Sequence, residues 1–262
     1  MRFFYYFRFV LVEKSRLPSR NEFCARNVGS KLKPKLHIKR KSESDKMKNV
    51  YIFSGLGADK RVFQKMDFSE FNTIFVDWIL PNKNESIESY AKKLTDQIKH
   101  EKPTLIGLSF GGIIATEIAK IIETEKLILI ASAKTKSEIP IYYRIAGKLK
   151  LHKLLPAKLL KMPNFFSYWF FGTENRNDKK MLAEILKDTD ENFLKWAIDK
   201  IVNWKSKIAH RNLIHIHGTA DRILPIYFVN CQIKVKNGGH FMTLNKAKEL
   251  SEIVKREILA LR

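Results

Sequence analysis

Residues 107–111 read Gly107-Leu108-Ser109-Phe110-Gly111, and what flanks them decides the fold. The apolar run from Thr104 to Leu108 has the length and composition of a short buried strand. An apolar-periodic helix is expected from Phe110 to about Glu123. A serine at such a strand-to-helix turn, with glycine two residues to either side, is a nucleophile elbow. The turn is so tight that only glycine fits at the flanks. It thrusts the serine hydroxyl out at the carboxyl end of the sheet.

A serine hydroxyl is a weak nucleophile and needs a base within hydrogen-bond reach. That base is usually a histidine oriented by a carboxylate. Working outward along the chain, the candidate acid is Asp221, on the loop after the apolar strand Leu213 to Ile216. The candidate base is His240, which follows Asn237, Gly238 and Gly239 after a further short strand. Ser109, Asp221 and His240 thus stand in the chain order Ser, Asp, His, each after the carboxyl end of a strand. Open parallel sheets place their sites at those ends.

From about Lys48 to the C-terminus the chain resembles the α/β-hydrolases. The elbow, the stretch from His217 to Asp221 with Pro225 beyond it, and Gly238-Gly239-His240 carry the resemblance. It implies a Ser-His-Asp hydrolase acting mostly on esters or related acyl compounds, through an acyl-enzyme. Acyltransferases, lyases and non-catalytic binding proteins use the same scaffold. A small-molecule acyl substrate is expected, with no metal and no organic cofactor. The resemblance also implies an oxyanion hole made by the backbone N–H groups of Phe110 and Leu56. Leu56 lies in the glycine-bounded loop Ser54 to Gly57, where the family usually has His-Gly and this chain has Ser54-Gly55. Some members carry the acid after the fourth strand. Here that place reads Ala131-Ser132-Ala133, which favours Asp221.

Strands are expected near 49–54, 72–78, 104–108, 126–131, 212–217 and 231–236, and helices near 59–67, 86–100, 110–123 and 245–261. This alternation predicts an α/β fold with a mostly parallel, doubly wound sheet. It breaks after the Lys126–Ala131 strand. Residues 134–207 carry helical patterns near 141–151, 156–161, 178–187 and 190–203 and no convincing strand. By resemblance they form a helical cap, inserted into a core made of residues 47–133 and 208–262. Within the insertion, residues 165–171 hold six aromatics in seven positions. Trp169, Phe170 and Phe166 are the expected substrate-binding residues, and the other rings pack between cap and core. Docking of these rings at a membrane surface is the least favoured reading, so membrane contact is not expected.

The chain has 262 residues, enough for one α/β domain with an insertion. Two cysteines, Cys24 and Cys231, make no disulfide framework. The formal charge of +22 comes mostly from scattered lysines. No nucleic-acid motif accompanies them, so a solvated lysine surface and no specific nucleic-acid partner are expected. Residues 1–46 contribute +9 of that charge. The apolar start is interrupted by Arg8 and lacks a small-residue cleavage site, which argues against a signal peptide. These residues are expected to be a poorly ordered extension ahead of a start-like Met47, with an edge strand at 3–12 as the competing reading. A cytoplasmic location is expected. His215 and His217 share a strand face but lack the acidic or thiol partners of a metal site. His217 is expected to support the Asp221 loop, and Asp77 to be a structural loop residue.

Overall fold

The computed structural model describes residues 47–173 and 175–260. The expected extension at 1–46 and its competing edge strand lie outside these residues. Six strands form one parallel sheet: β1 (Asn49–Phe53), β2 (Asn72–Phe75), β3 (Thr104–Leu108), β4 (Lys126–Ile130), β5 (Leu213–Gly218) and β6 (Ile233–Val235). Their order is β2-β1-β3-β4-β5-β6. β3 and β4 are buried along their whole length, which is why they read as unbroken apolar runs and not as alternation. The chain steps outward from β1 to β2, then crosses back over β1 to β3 and continues in the other direction. The carboxyl ends of β1 and β3 therefore flank a topological switch point, where open sheets of this kind bind ligands.

Each face of the sheet has its own core. On one face Val50, Ile52, Ile106, Ile128 and Ile214 pack under α9 (Ala247–Leu259). On the other, Tyr51, Leu105, Leu127 and Leu129 pack under α1 (Ile87–Leu94) and α2 (Phe110–Ile118). Alternate strand residues point to opposite faces, so one run of branched side chains serves both layers. Each fully buried Leu or Ile contributes roughly 1.5–3 kcal/mol.

Between β4 and β5 the chain forms α3 (Ile141–Lys148), α4 (Ala157–Leu160), α5 (Phe165–Phe171), α6 (Arg176–Asp188) and α7 (Glu191–Val202). The short α8 (Met242–Asn245) precedes α9. Asn175 and Asp190 cap α6 and α7 through their side chains, accepting from the Asp178 and Phe193 N–H groups. Met181, Leu182 and Ile185 of α6, and Phe193, Trp196 and Ala197 of α7, face inward.

Several elements are shorter than the sequence pattern predicts. Residues 59–67 yield only a 3₁₀ turn, Lys60–Phe63. β2 stops at Phe75, and the peptide at Asp77 is tied instead to Gln97: its N–H donates to Oε1 and its carbonyl accepts from Nε2, both at 2.9 Å. α2 ends at Ile118, and the bonds from Lys120 N to Glu117 O and Ile121 N to Ile118 O tighten its tail toward β4.

Candidate active site

Ser109 closes β3 and caps α2, with φ 53° and ψ −121°. A non-glycine residue in this region is strained and persists only where its surroundings hold it. Here the Ser109 N–H donates to Ile130 O at 2.9 Å, and its carbonyl accepts from Ser132 Oγ at 2.6 Å and Gly112 N at 2.9 Å. The flanking glycines are required by space. A Cβ on Gly107 would lie 2.4 Å from Gly112 Cα, and one on Gly111 would lie 2.2 Å from Ser54 O. The elbow thus brings α2 down onto the end of β1.

The three predicted residues meet there. His240 Nε2 lies 2.8 Å from Ser109 Oγ, and His240 Nδ1 lies 2.8 Å from Asp221 Oδ2. Asp221 Oδ1 accepts from the Ile223 and Leu224 N–H groups, both at 2.9 Å. Because Oδ2 can only accept, Nδ1 carries the proton and Nε2 is left to accept from the serine. Burial pushes the Asp221 carboxyl up. The opposing effects of His240, His217 and the Leu224 N–H outweigh it and hold the carboxyl below the ordinary range.

β5 supports this arrangement from beneath. The buried His217 donates through Nε2 to Leu224 O at 2.7 Å, closing the loop that carries Asp221. His215 donates through Nε2 to Ser132 O at 2.8 Å, and Ser132 in turn holds the Ser109 carbonyl. Burial, with His217 beside it, pushes His215 down to about 3, so it stays neutral. Each histidine is thus a backbone tie.

The loop after β1 passes beside the serine: a Cβ on Gly55 would lie 3.7 Å from Ser109 Cβ. The Ala58 N–H donates to Gly55 O at 3.0 Å, and Gly57 has φ +67°, so residues 55–58 make a turn of the kind that needs positive φ at its third position. Leu56 is the second residue of that turn, whose N–H the turn bond leaves unused. Phe110 opens α2, and a helix's first N–H groups have no intrahelical partner. Ser54, where the resemblance expects histidine, accepts from Trp78 Nε1 at 2.9 Å and donates to Ala58 O at 2.5 Å. The Trp78 ring lies against Phe110 and Phe193 of α7, 5.6 Å between centroids in each case. Thr189, between α6 and α7, closes the other side: its Oγ1 lies 3.1 Å from Gly57 O and 2.7 Å from Ile185 O.

The aromatic helix α5 requires a correction. Phe166, Trp169 and Phe170 turn outward and are 68 %, 45 % and 40 % exposed. The Arg222 guanidinium sits over the Trp169 ring at 4.5 Å. The inward rings are Tyr168 and Phe171, packed on the core. Phe171 lies 5.9 Å from the His240 ring and 4.8 Å from Phe241. Helical periodicity explains the split: positions 168 and 171 share one face, and 166, 169 and 170 fall on the other. The seven-residue run gave no phase, because nearly every position was aromatic. Tyr143 of α3 was also not anticipated. Burial first, then Tyr142 and Asp221, push its hydroxyl up to about 12, so it remains a neutral O–H.

No protein-family model matches the sequence, and neither does any curated protein. Many solved structures do match in shape. An esterase from Exiguobacterium antarcticum is 17% identical, with 81% of this chain and 92% of that one covered at a TM-score of 0.59. An enol-lactonase from Burkholderia xenovorans is 16% identical, with 83% and 94% covered and a TM-score of 0.59. A bromoperoxidase from Bacillus anthracis is 16% identical, with 82% and 93% covered and a TM-score of 0.58. At such identities the likeness carries the architecture and not the reaction. A six-stranded parallel sheet with its switch point at β1 and β3, a strained serine elbow on β3 and this likeness together establish that the chain has the α/β-hydrolase fold.

Proposed function

We propose that this protein is a serine hydrolase that cleaves a carboxylic ester or a similar small acyl substrate. The observation that carries the reading is the unbroken chain Ser109–His240–Asp221, with both links at 2.8 Å, at the switch point of the sheet. The esterase and lactonase activities named for structures of similar shape agree with it.

In this reading the substrate carbonyl sits against the N–H groups of Leu56 and Phe110. His240 Nε2 takes the hydroxyl proton as Ser109 Oγ attacks, and Asp221 steadies the imidazolium that forms. The oxyanion of the tetrahedral intermediate gains two preorganised donors, each worth about 3 kcal/mol in the barrier. His240 then gives its proton to the departing alcohol, which leaves an acyl group on Ser109. Water, deprotonated by the same histidine, attacks the acyl carbonyl and restores the serine. Residues 134–207 act as a cap that shapes the acyl pocket, with Phe171, 5.9 Å from the His240 ring, on its inner wall.

The test is a fluorophosphonate probe together with p-nitrophenyl esters of short and medium chain, on the wild type and on Ser109→Ala. The wild type is expected to label and turn over, and the variant to do neither. Absence of both in a folded wild-type protein removes the reading.

A further inference from the structure

The outward face of the inserted helices has a composition unlike the rest of the surface. Among the described residues nineteen large apolar side chains are exposed, and thirteen of them lie between Ile141 and Phe170. On α3 they fall at Ile141, Ile145 and the following Leu149, spaced four apart along one stripe. Leu154 and Phe165 are 77 % and 74 % exposed. α3, the 3₁₀ turn Leu151–Leu154 and α4 all rest on α7, so one support carries the three segments. Exposed apolar patches of this extent mark interaction sites.

The same stretch has a single sign of charge. From Ile139 to Thr173 there is no Asp or Glu. Five lysines, Lys148, Lys150, Lys153, Lys158 and Lys161, stand among the apolar side chains, while the Nε of the sixth cation, Arg144, is buried. The acids nearest them come from α6 and α7, with Asp199 4.0 Å from Lys153 and Glu184 and Glu191 on the groove that Lys158 and Lys161 line. Charge decides among possible occupants. A second copy of this chain would bring the same cations face to face. A nucleic acid would satisfy the lysines and leave the leucines and phenylalanines in water. An anionic bilayer satisfies both, since headgroups attract the lysines while aliphatic and aromatic side chains enter the acyl boundary. No described helix is long and apolar enough to cross a membrane, so the contact would be peripheral.

We propose that the outer surface of α3 to α5 docks this protein on anionic lipid bilayers. The sequence pattern alone did not favour this, because lysines scattered along a chain are the ordinary mark of a solvated surface. Their coincidence with outward-facing leucine, isoleucine and phenylalanine is visible only in three dimensions. The proposal concerns partition to a surface, so it stands or falls independently of the chemistry at Ser109.

The test is co-sedimentation of the full chain with phosphatidylcholine vesicles, and with vesicles in which about a quarter of the lipid is phosphatidylglycerol. Strong binding to the anionic vesicles is expected, weakening with salt, and little binding to the neutral ones. Each basic side chain near such a surface strengthens partition roughly fivefold. Lys158→Glu/Lys161→Glu is therefore expected to reduce binding at least about twenty-fivefold. Leu154→Ser/Phe165→Ser, which changes no charge, is expected to reduce it at least about tenfold. The control Lys99→Glu/Lys248→Glu makes the same charge change on exposed core lysines and is expected to bind like the wild type. The proposal is overturned by no binding to anionic vesicles, by equal binding to neutral ones, by an equal loss in the control, or by full retention in Leu154→Ser/Phe165→Ser. Self-association of the wild type in light scattering, abolished by that last variant while vesicle binding is absent, would assign the surface to a second copy.

Discussion

Replacing Asp221 with asparagine changes one atom, and the structure dictates how the new side chain would sit. Asp221 Oδ1 accepts from two backbone N–H groups at 2.9 Å. An amide placed there must offer its oxygen to them, since its NH₂ would face two donors. The NH₂ then takes the position of Oδ2, 2.8 Å from His240 Nδ1. Facing a donor, Nδ1 must become the acceptor, so the proton moves to Nε2 and points at Ser109 Oγ. The histidine can no longer receive the serine proton. The change removes little packing from a buried site, so thermal unfolding should stay close to the wild type. The expected loss is about 10⁴ in kcat, or about 5 kcal/mol of barrier. p-Nitrophenyl ester turnover and fluorophosphonate labelling should fall together. Activity within tenfold of the wild type in a folded Asp221→Asn protein would refute the assignment of Asp221 as the orienting acid.

Other outcomes follow from the same geometry. Gly111→Ala places its Cβ against the Ser54 and Phe53 carbonyls at 2.2 and 2.4 Å, where only backbone could yield, and should cost about 3 kcal/mol. Gly55→Ala, whose nearest neighbour is at 3.7 Å, should stay within about 0.5 kcal/mol of the wild type. Equal unfolding temperatures for the two variants would contradict this. The fully buried His215, with its value pushed down to about 3, makes stability fall with acid. The unfolded chain takes up a proton below about 6.5 that the folded chain refuses, so stability present above that value is lost as pH falls toward 3. Between pH 7 and 5 this amounts to about 2 kcal/mol, and denaturant titrations of His215→Gln should show a loss smaller by about that amount. Phe171→Ala removes the ring beside His240 and should lower kcat/KM about tenfold through looser placement of the base. Unchanged steady-state kinetics would deny Phe171 that role.

Most of the candidate site is legible in the sequence because its parts are local. The elbow needs two glycines and a serine within five residues, and the acid and the base each follow a short apolar strand. Residues that act from a distance left no such trace. Ser132 holds the Ser109 carbonyl, and His215 holds Ser132, but neither has a sequence neighbour that marks its role. Trp78 was invisible for the same reason: its bond to Ser54 joins two strand ends 24 residues apart. In α5 the composition is plain in the sequence and the phase is not, so nothing there separates the inward Phe171 from the outward Phe166, Trp169 and Phe170. Strands and helices stop short of their apolar patterns where tertiary ties, such as Gln97 on Asp77, end the element first.

The hydroxyl of Thr189 on Gly57 O has a consequence for engineering. It comes from the inserted helices, yet it grips the turn that carries Leu56, whose N–H the proposed mechanism uses. A Cβ on Gly57 would fall 2.3 Å from Thr189 Oγ1, so the two segments are fitted to each other with no slack. If the proposed function holds, specificity and chemistry are therefore not separable modules in this chain. A chimera that exchanged residues 134–207 for another set of helices would also replace one jaw of the clamp on the turn. Graft boundaries that keep Thr189, or bring a matched turn with the graft, should give active chimeras more often than boundaries drawn where the strands end.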